Sequence, residues 1–426
     1  MKIAVLTSGG VDSSVALKLL KEQGHDLTAF YLKIWLEDDL KFLGAECPWE
    51  EDLRFVRKIC ADNDIPLKII PLQKEYFDTV VSYTIEEVKA GRTPNPDIMC
   101  NNQIKFKLFL EKGGKDFDKV ATGHYAKMAY AKEGAVIDLN LDIDSSSKKS
   151  IGGRLPRGGK YILKAAPDPI KDQTYFLSNL KQEQLEKLIF PIGDLTKEEV
   201  RELAEKYDLP NKDRKDSQGI CFLGKLKYDE FIKHYLGEKK GDFIEHETGE
   251  KLGEHEGFWY FTIGQRRGIK LPDGPWFVVG KEKEKNIVYI SKKYYESDKK
   301  RDEFEVENLN WFDEKLSPVT TLTKDVPGDV RSHKQPVENT NSVVPEKDSP
   351  GTASSHKQPA GTSVRLQVKL RHGPKIYGCL VSPLPGTTPH PVRLKVKLSE
   401  NDQGIAPGQF AAFYLDDICL GSGVIC

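Results

Sequence analysis

The residues best suited to chemistry fall in three stretches. Gly91-Arg92-Thr93-Pro94-Asn95-Pro96-Asp97-Ile98-Met99-Cys100-Asn101-Asn102 ends around a thiol. Its two prolines keep the backbone extended and stiff as far as Asp97, after which Asp97 or Cys100 opens a helix. A thiol at a helix N-terminus, with Lys105 close in sequence, is expected to hold more thiolate than a free cysteine. A lone cysteine is more often a small buried hydrophobe, but a rigid approach aims a side chain. Asp216-Ser217-Gln218-Gly219-Ile220-Cys221-Phe222 carries a second thiol among apolar neighbours; alone it reads as a core cysteine. Thr7-Ser8-Gly9-Gly10-Val11-Asp12-Ser13-Ser14 combines glycines with hydroxyls. Glycines let the backbone approach a ligand, and free helix N–H groups with serine hydroxyls offer donors to an anion. This is not a Walker loop, because no Gly-Lys pair in the chain is followed by Ser or Thr.

The elements that must position these stretches are legible. Ile3-Ala4-Val5-Leu6 reads as a buried strand. Apolar residues then recur at Val15, Leu17, Leu19 and Leu20, a helical face that closes at Gly24. The glycine loop therefore joins a strand end to a helix start. Further strands are expected at 27–34, 67–72 and 119–126, with helices at about 50–62 and 74–90. Such alternation predicts a parallel sheet with helices on both faces. Ligands on such sheets sit at the strand C-termini, so the loops after Leu6, Phe30 and Thr122 converge. Polar residues 133–160 read as a surface insertion. Lys171-Asp172-Gln173 reads as a capped, solvated helix end that could also meet a ligand or a phosphate backbone. Thr196 and Glu199 form a capping box for a helix over 195–207. From residue 228 a short helix precedes Gly-rich strands at 241–244, 256–262, 276–281 and 286–290. There Gly264-Gln265-Arg266-Arg267-Gly268 makes a basic turn. From residue 302 short strands predict a small barrel. Residues 325–363, in which Ser-His-Lys-Gln-Pro occurs at 332 and again at 355, interrupt it as a disordered insertion.

Composition bounds the class. The chain has 426 residues, 38% hydrophobic and 30% charged, with a formal net charge of -1. That predicts two or three globular domains and no bulk attraction to nucleic acid. No apolar run approaches the ~20 residues needed to cross a bilayer. Met1 leads directly into a core strand, so no signal or transit segment is expected. Between Asp348 and Glu400 there is no acidic residue, whereas Lys357, Arg365, Lys369, Arg371, Lys375, Arg393, Lys395 and Lys397 fall there, which reads as a local basic surface or, equally, as an ordinary solvated face of strands. Seven cysteines without a Cys-x-x-Cys argue against a disulfide framework or a zinc ribbon and for a reducing compartment.

The glycine loop, Asn95-Pro96-Asp97-x-x-Cys100-Asn101, Gly123-His124-Tyr125-Ala126, Lys171-Asp172-Gln173 and Asp216-Ser217-x-x-x-Cys221-Phe222 occur in one order along the chain. Together with Gly264–Gly268 and Ala406-Pro407-Gly408-Gln409, they resemble the tRNA-specific 2-thiouridylase family of the ATP pyrophosphatase superfamily. The resemblance implies an N-terminal doubly wound parallel sheet over 1–215, a small central α/β or β domain over 216–300, and a C-terminal β-barrel over 301–426. It implies ATP with Mg²⁺, a tRNA substrate read at the wobble uridine of Lys, Glu and Gln type, and adenylation of the uridine O2. A persulfide then supplies sulfur, delivered by a sulfur-donor protein such as a cysteine desulfurase or relay protein. A cytoplasmic location and no membrane partner follow. By position, Leu6, Thr7, Ser8, Gly9, Gly10, Val11, Asp12, Ser13, Leu32 and Gly123 would bind ATP. Asn95, Pro96 and Asp97 would meet the target base, with Asp97 as base or base-orienting group. Cys100 would be the nucleophile and Cys221 the persulfide carrier. His124, Lys171, Asp172, Gln173, Arg371, His372 and Gln409 would touch tRNA. No resident metal site is implied. Leu32 stands where the family usually has Met, and Gln218 where Thr is common. Two alternatives keep the first domain: a different tRNA sulfurtransferase or ligase, or a non-catalytic RNA-binding protein.

Overall fold

Apolar side chains alternate across β1 (Lys2–Leu6), with Ile3 and Val5 on one face and Ala4 and Leu6 on the other, all buried. A strand buried on both faces belongs inside a parallel sheet. The computed structural model describes residues 1–34, 49–132, 135–138, 159–216, 227–294, 301–314, 363–384 and 393–426. In it β1 is the centre of a parallel sheet with β2 (Asp26–Lys33), β3 (Leu67–Pro71), β4 (Lys119–Thr122) and β8 (Leu188–Ile189), in the order β3-β2-β1-β4-β8. Leu17 and Leu20 of the helix Val11–Glu22 and Leu53, Val56 and Ile59 of the helix Trp49–Asp62 cover one face. Phe106, Phe109 and Phe117 cover the other, with Phe30 edge-on to Phe109 and Phe117 at centroid distances of 4.9 and 5.5 Å. The expected helix over 74–90 is a continuous helical run, Gln73–Tyr76, Phe77–Val81 and Ser82–Lys89, whose middle is a π-turn.

The expected strand over 119–126 is two pieces. β4 stops at Thr122, and β5 (Lys127–Lys132) pairs in another sheet. Gly123 explains the break: a Cβ there would lie 2.6 Å from the Ser13 backbone nitrogen, so the chain leaves the sheet to pack on the first turn of the Val11–Glu22 helix. Residues 133–160 are also not wholly an insertion. β6 (Ala135–Asp138) pairs with β5, and β5 pairs with β7 (Lys160–Lys164). Residues 139–158 lie outside the described part.

The C-terminal strands close as predicted. β13 (Glu303–Trp311), β16 (Leu394–Leu398), β15 (Tyr377–Pro383), β14 (Val364–Lys369), β17 (Phe410–Leu415) and β18 (Ile418–Ile425) run antiparallel in that order, and β18 pairs back to β13. Val306, Val368, Val381, Val396 and Phe413 fill the barrel. β18 also pairs with β7, so strands from the N-terminal half extend the barrel's sheet. The insertion read at 325–363 lies almost entirely outside the described residues.

A third sheet lies between these two in sequence, ordered β10 (Lys251–His255), β9 (Gly241–Glu245), β12 (Ile287–Ser291), β11 (Phe277–Glu282). The expected strand over 256–262 is corrected to a short 3₁₀ turn, Phe258–Tyr260, because Phe258 and Phe261 both turn into this sheet's core. The helix Tyr228–Leu236 turns Phe231 and Ile232 away from it, into the cluster that holds Cys100.

The basic surface is also corrected. Arg393 pairs with Glu305 and Glu307, Lys395 and Lys397 with Glu303, and Lys375 with Glu400. The antiparallel register places Glu303 opposite Lys397 and Glu305 opposite Lys395. Glu303, Glu305 and Glu307, far away in sequence, thus pair the last three cations of the run. No helix among the described residues is long and apolar enough to cross a membrane.

Candidate active site

Strand order reverses between β1 and β4, and ligands on open parallel sheets bind in the crevice at such a switch point. The loops after β1 and β4 line it. Gly10 caps the helix Val11–Glu22 without any side-chain cap bond, and the first helical bond runs from Ser14 N to Gly10 O. The Val11, Asp12 and Ser13 amides therefore stand outside the helical ladder, at the positive end of the helix dipole. Ser13 Oγ accepts from Ser8 N at 3.2 Å and donates to Gly10 O at 3.0 Å, which fixes the loop. Gly9 has φ 78°, and a Cβ on it would stand 2.7 Å from the Asp52 backbone. These features fit a phosphate chain. Leu6 ends β1, Thr7 N donates to Phe30 O, and Leu32 lies half-buried in β2 beside the same cores. Gly123→Ala inserts a methyl against backbone on the opposite loop. We expect ATP affinity to fall about tenfold or more, since overpacking costs about 1–3 kcal/mol. Nucleotide titration of the folded variant checks this, and an unchanged Kd would refute it.

Sequence reasoning missed the charged wall of this crevice. Asp12 Oδ1 accepts from Lys197 Nζ at 2.6 Å and from Tyr125 Oη at 2.9 Å. Asp216 takes Lys171 at 2.7 Å, Lys197 at 2.8 Å and Arg201 at 2.7 Å. Burial alone would raise the Asp216 carboxyl, but hydrogen bonds from Lys171 and Lys197 outweigh it and hold its pKa down to about 2. Asn211 Nδ2 and Arg214 donate to Gly9 O at 2.8 and 3.1 Å, and Arg214 pairs with Asp52. One signal was available: Lys197 and Arg201 are four apart on a capped helix, hence on one face.

The Asn95 loop meets the barrel. Asn95 Oδ1 accepts from Ile98 N at 3.1 Å, so the helix opens at Pro96, a turn before Cys100. That corrects the expectation of a thiol at a helix start. Cys100 is 1% exposed and packs in one cluster with Tyr76, Val80, Ile104 and Phe231. Asn95 Nδ2 donates to Tyr175 Oη at 3.3 Å, and Tyr175 Oη bonds the Leu370 and Phe410 carbonyls of the barrel. Thr93 N donates to Pro407 O at 2.7 Å, while Gln409 Oε1 accepts from Ala406 N at 3.1 Å and stiffens that turn. Pro96 is buried and Asp97 half-buried. Cys221 lies outside the described residues.

Several expected RNA contacts turn inward. Asp172 is 1% exposed; Thr174 and the Ala166 amide donate to it, and Lys369 of β14 pairs with it at 2.6 Å. A sealed carboxylate meets no RNA, so that expectation is corrected. Gln173 exchanges bonds with the Tyr125 backbone at 2.8 and 3.0 Å and fixes the loop after β4. His124 is 9% exposed between Phe106 and Phe190, with Nδ1 2.7 Å from Thr122 Oγ1. It too is corrected to an internal residue, because its ring is enclosed. Arg371 and His372 do reach the surface: Arg371 pairs with Asp402, and His372 stacks on Phe176 at 4.9 Å. Lys171 is half-buried on Asp216.

Burial, then Lys105, holds the His124 pKa well below its ordinary 6.5. Below pH 6.5 the unfolded chain gains a proton that the folded ring refuses. Stability should therefore fall with pH below 6.5 by up to ~1.4 kcal/mol per unit from this group, and stay level above it. Melting curves from pH 7.5 downwards, compared with His124→Gln (whose slope should be shallower), test this; identical slopes would refute it.

An α/β crevice of the nucleotide-binding kind joined to a β-barrel through the loop that carries Asn95 defines a class: a nucleotide-using enzyme with an accessory barrel. Three family models cover most of the chain: a tRNA methyl transferase HUP domain over residues 1–225, a tRNA methyl transferase PRC-barrel domain over 229–292, and an aminomethyltransferase beta-barrel domain over 351–425. The tRNA-specific 2-thiouridylase MnmA of Parabacteroides distasonis is 41% identical over 427 residues, covering 100% of this chain and 99% of its own. MnmA 1 of Bacteroides thetaiotaomicron is 39% identical over 431 residues, and MnmA of Porphyromonas gingivalis 38% over 428, each covering 100% of this chain and 99% of the relative. The chain belongs to the tRNA-specific 2-thiouridylase family.

Proposed function

We propose that this chain is a tRNA-uridine 2-sulfurtransferase that activates the wobble uridine with ATP and replaces its O2 with sulfur. The single observation that carries this is the pairing of an uncapped phosphate loop at the switch point with the Asn95–Cys100 segment, braced on the barrel through Tyr175. One centre handles the nucleotide; the other presents a thiol next to the base-binding loop.

The chemistry has two halves. A urea-like carbonyl oxygen leaves poorly, so O2 attacks the α-phosphorus of ATP, the bond to the β-phosphate oxygen breaks, and pyrophosphate departs. The uridine N3 gives up its proton, and Asp97, half-buried beside the base loop, is the group proposed to take or orient it. Cys221 carries a persulfide from a sulfur-donor protein. The Cys100 thiolate attacks its inner sulfur, forming a Cys100–Cys221 disulfide and releasing hydrosulfide, which displaces AMP from C2. A cellular thiol reductant restores both cysteines. Because Cys100 is 1% exposed, its segment must open for this step.

Mg²⁺ would travel with the ATP phosphates, where it screens their charge; Asp12 is the loop carboxylate within reach. Arg371, His372 and Gln409 support RNA binding along the barrel, and Asp172, Gln173 and His124 support it from inside by holding the loops. Uridines reading Lys, Glu and Gln codons are the proposed targets, and the unstacked anticodon loop is the form that proteins read by base edge. The cytoplasm is the proposed setting.

Nucleoside mass spectrometry of unmodified tRNA-Lys, incubated with the protein, Mg²⁺-ATP and a persulfide donor, tests the reading. 2-Thiouridine is the expected product. A methylated uridine, or ATP cleavage with no sulfur incorporated, would overturn it.

A further inference from the structure

We propose that Lys171, Lys197 and Arg201 form the site for the two terminal phosphates of ATP, and that Asp216 fills this site as an internal competitor until the nucleotide arrives. The inference rests on the reading of ATP as co-substrate. It adds residues outside the glycine loop and gives Asp216 a role of its own.

Three cations converge on one carboxylate at 2.7, 2.8 and 2.7 Å. Their side chains are 33%, 15% and 33% exposed and Asp216 is 27% exposed, so the cluster is reachable from solvent rather than sealed in a core. Arg201 is aimed there in advance. Its Nη1 donates to the Lys212 and Arg214 carbonyls, both at 2.7 Å, which leaves Nη2 for an anion. Lys197 ties the cluster to the phosphate loop, because its Nζ also reaches Asp12 in the first turn of the Val11–Glu22 helix. A phosphate chain that starts on the open amides of that turn would run on towards these cations.

The geometry is that of a phosphate clamp holding a carboxylate. Arg and Lys bind phosphate through charge-assisted bonds, with Arg bidentate. A pyrophosphate group brings more charge and more acceptor oxygens than one carboxylate, so it displaces Asp216 when present. An internal competitor has two consequences. It neutralises the cations in the empty enzyme, and it returns to speed the departure of pyrophosphate.

An RNA backbone phosphate is the other source of the same chemistry. The tie to Asp12 favours ATP, and the test separates the two. Inorganic pyrophosphate, ATP, AMP and tRNA would be titrated into wild type, Asp216→Asn, Lys197→Gln and Arg201→Gln. We expect Asp216→Asn to bind pyrophosphate at least tenfold more tightly, with both KM for ATP and kcat lowered as product release slows. Lys197→Gln and Arg201→Gln should each bind pyrophosphate and ATP at least tenfold more weakly while AMP and tRNA affinities hold. Pyrophosphate affinity unchanged or weakened in Asp216→Asn, or tRNA affinity lost while ATP affinity holds in the Lys197 and Arg201 variants, would overturn the proposal. If Asp216→Asn fails to fold, the AMP-against-pyrophosphate contrast in the other two variants decides. Wild type that binds pyrophosphate but not ATP would defeat the ATP reading and leave the clamp standing. ATP bound equally by all variants would defeat the clamp and leave that reading.

Discussion

Replacing Cys100 with alanine is expected to lower 2-thiouridine formation by about 10³-fold or more while tRNA-dependent pyrophosphate release continues. The two halves of the reaction use different parts of the chain. In the proposed reaction adenylation draws on the loop after β1 and its cationic wall, whereas Cys100 lies in a separate apolar cluster with Tyr76, Val80 and Phe231. Sulfur release needs a second thiol to take the carrier's inner sulfur. The substitution removes one small atom from a cluster with Tyr76, Val80 and Phe231, so it should cost only about 1 kcal/mol in stability. Cys221→Ala should show the same split. Pyrophosphate assay and nucleoside mass spectrometry on one set of reactions read both halves. Thiolation surviving either alanine would sink the two-cysteine mechanism; loss of pyrophosphate release as well would mean that the thiol serves adenylation.

Asp172→Ala carries the largest expected cost in stability. Asp172 is 1% exposed and Lys369 6%, and they pair across the seam between the N-terminal half and β14. Removing the carboxylate leaves an ammonium buried without its counter-charge, which costs about 3–5 kcal/mol. For a chain of this size that is a fall in Tm of roughly 3–6 °C. Adding Lys369→Met should return much of the loss, because the unpaired charge goes too. Calorimetry of the single and double variants measures this. An unchanged Tm with tRNA affinity lost would reinstate Asp172 as a direct RNA contact.

Much of this protein could be read along the chain. The period of Ile3–Leu6, the face of Val15, Leu17 and Leu20 and the capping box of Thr196 and Glu199 are local patterns, and each folds as its pattern dictates. The glycine–serine loop carries local bonds among its own glycines and hydroxyls, while Asn211 and Arg214 hold it from far along the chain. Burial is not local. Asp172 stands in a stretch that reads as solvated, yet Lys369 encloses it from a distant segment; the partners that bury His124 (Phe106 and Phe190) and Cys100 (Tyr76 and Phe231) are likewise not local. Charge is not local either: Arg393, Lys395 and Lys397 near the end of the chain are paired with Glu303, Glu305 and Glu307 through the antiparallel register. Residue types and spacing thus determined the elements and the chemistry on offer, because hydrogen bonding and amphipathic period act between near neighbours. Only the tertiary structure decided which of those groups meet solvent, which meet each other, and that Lys197, Arg201 and Asp216 converge beside Asp12 of the loop after β1, because contact and dielectric depend on who arrives from far along the chain.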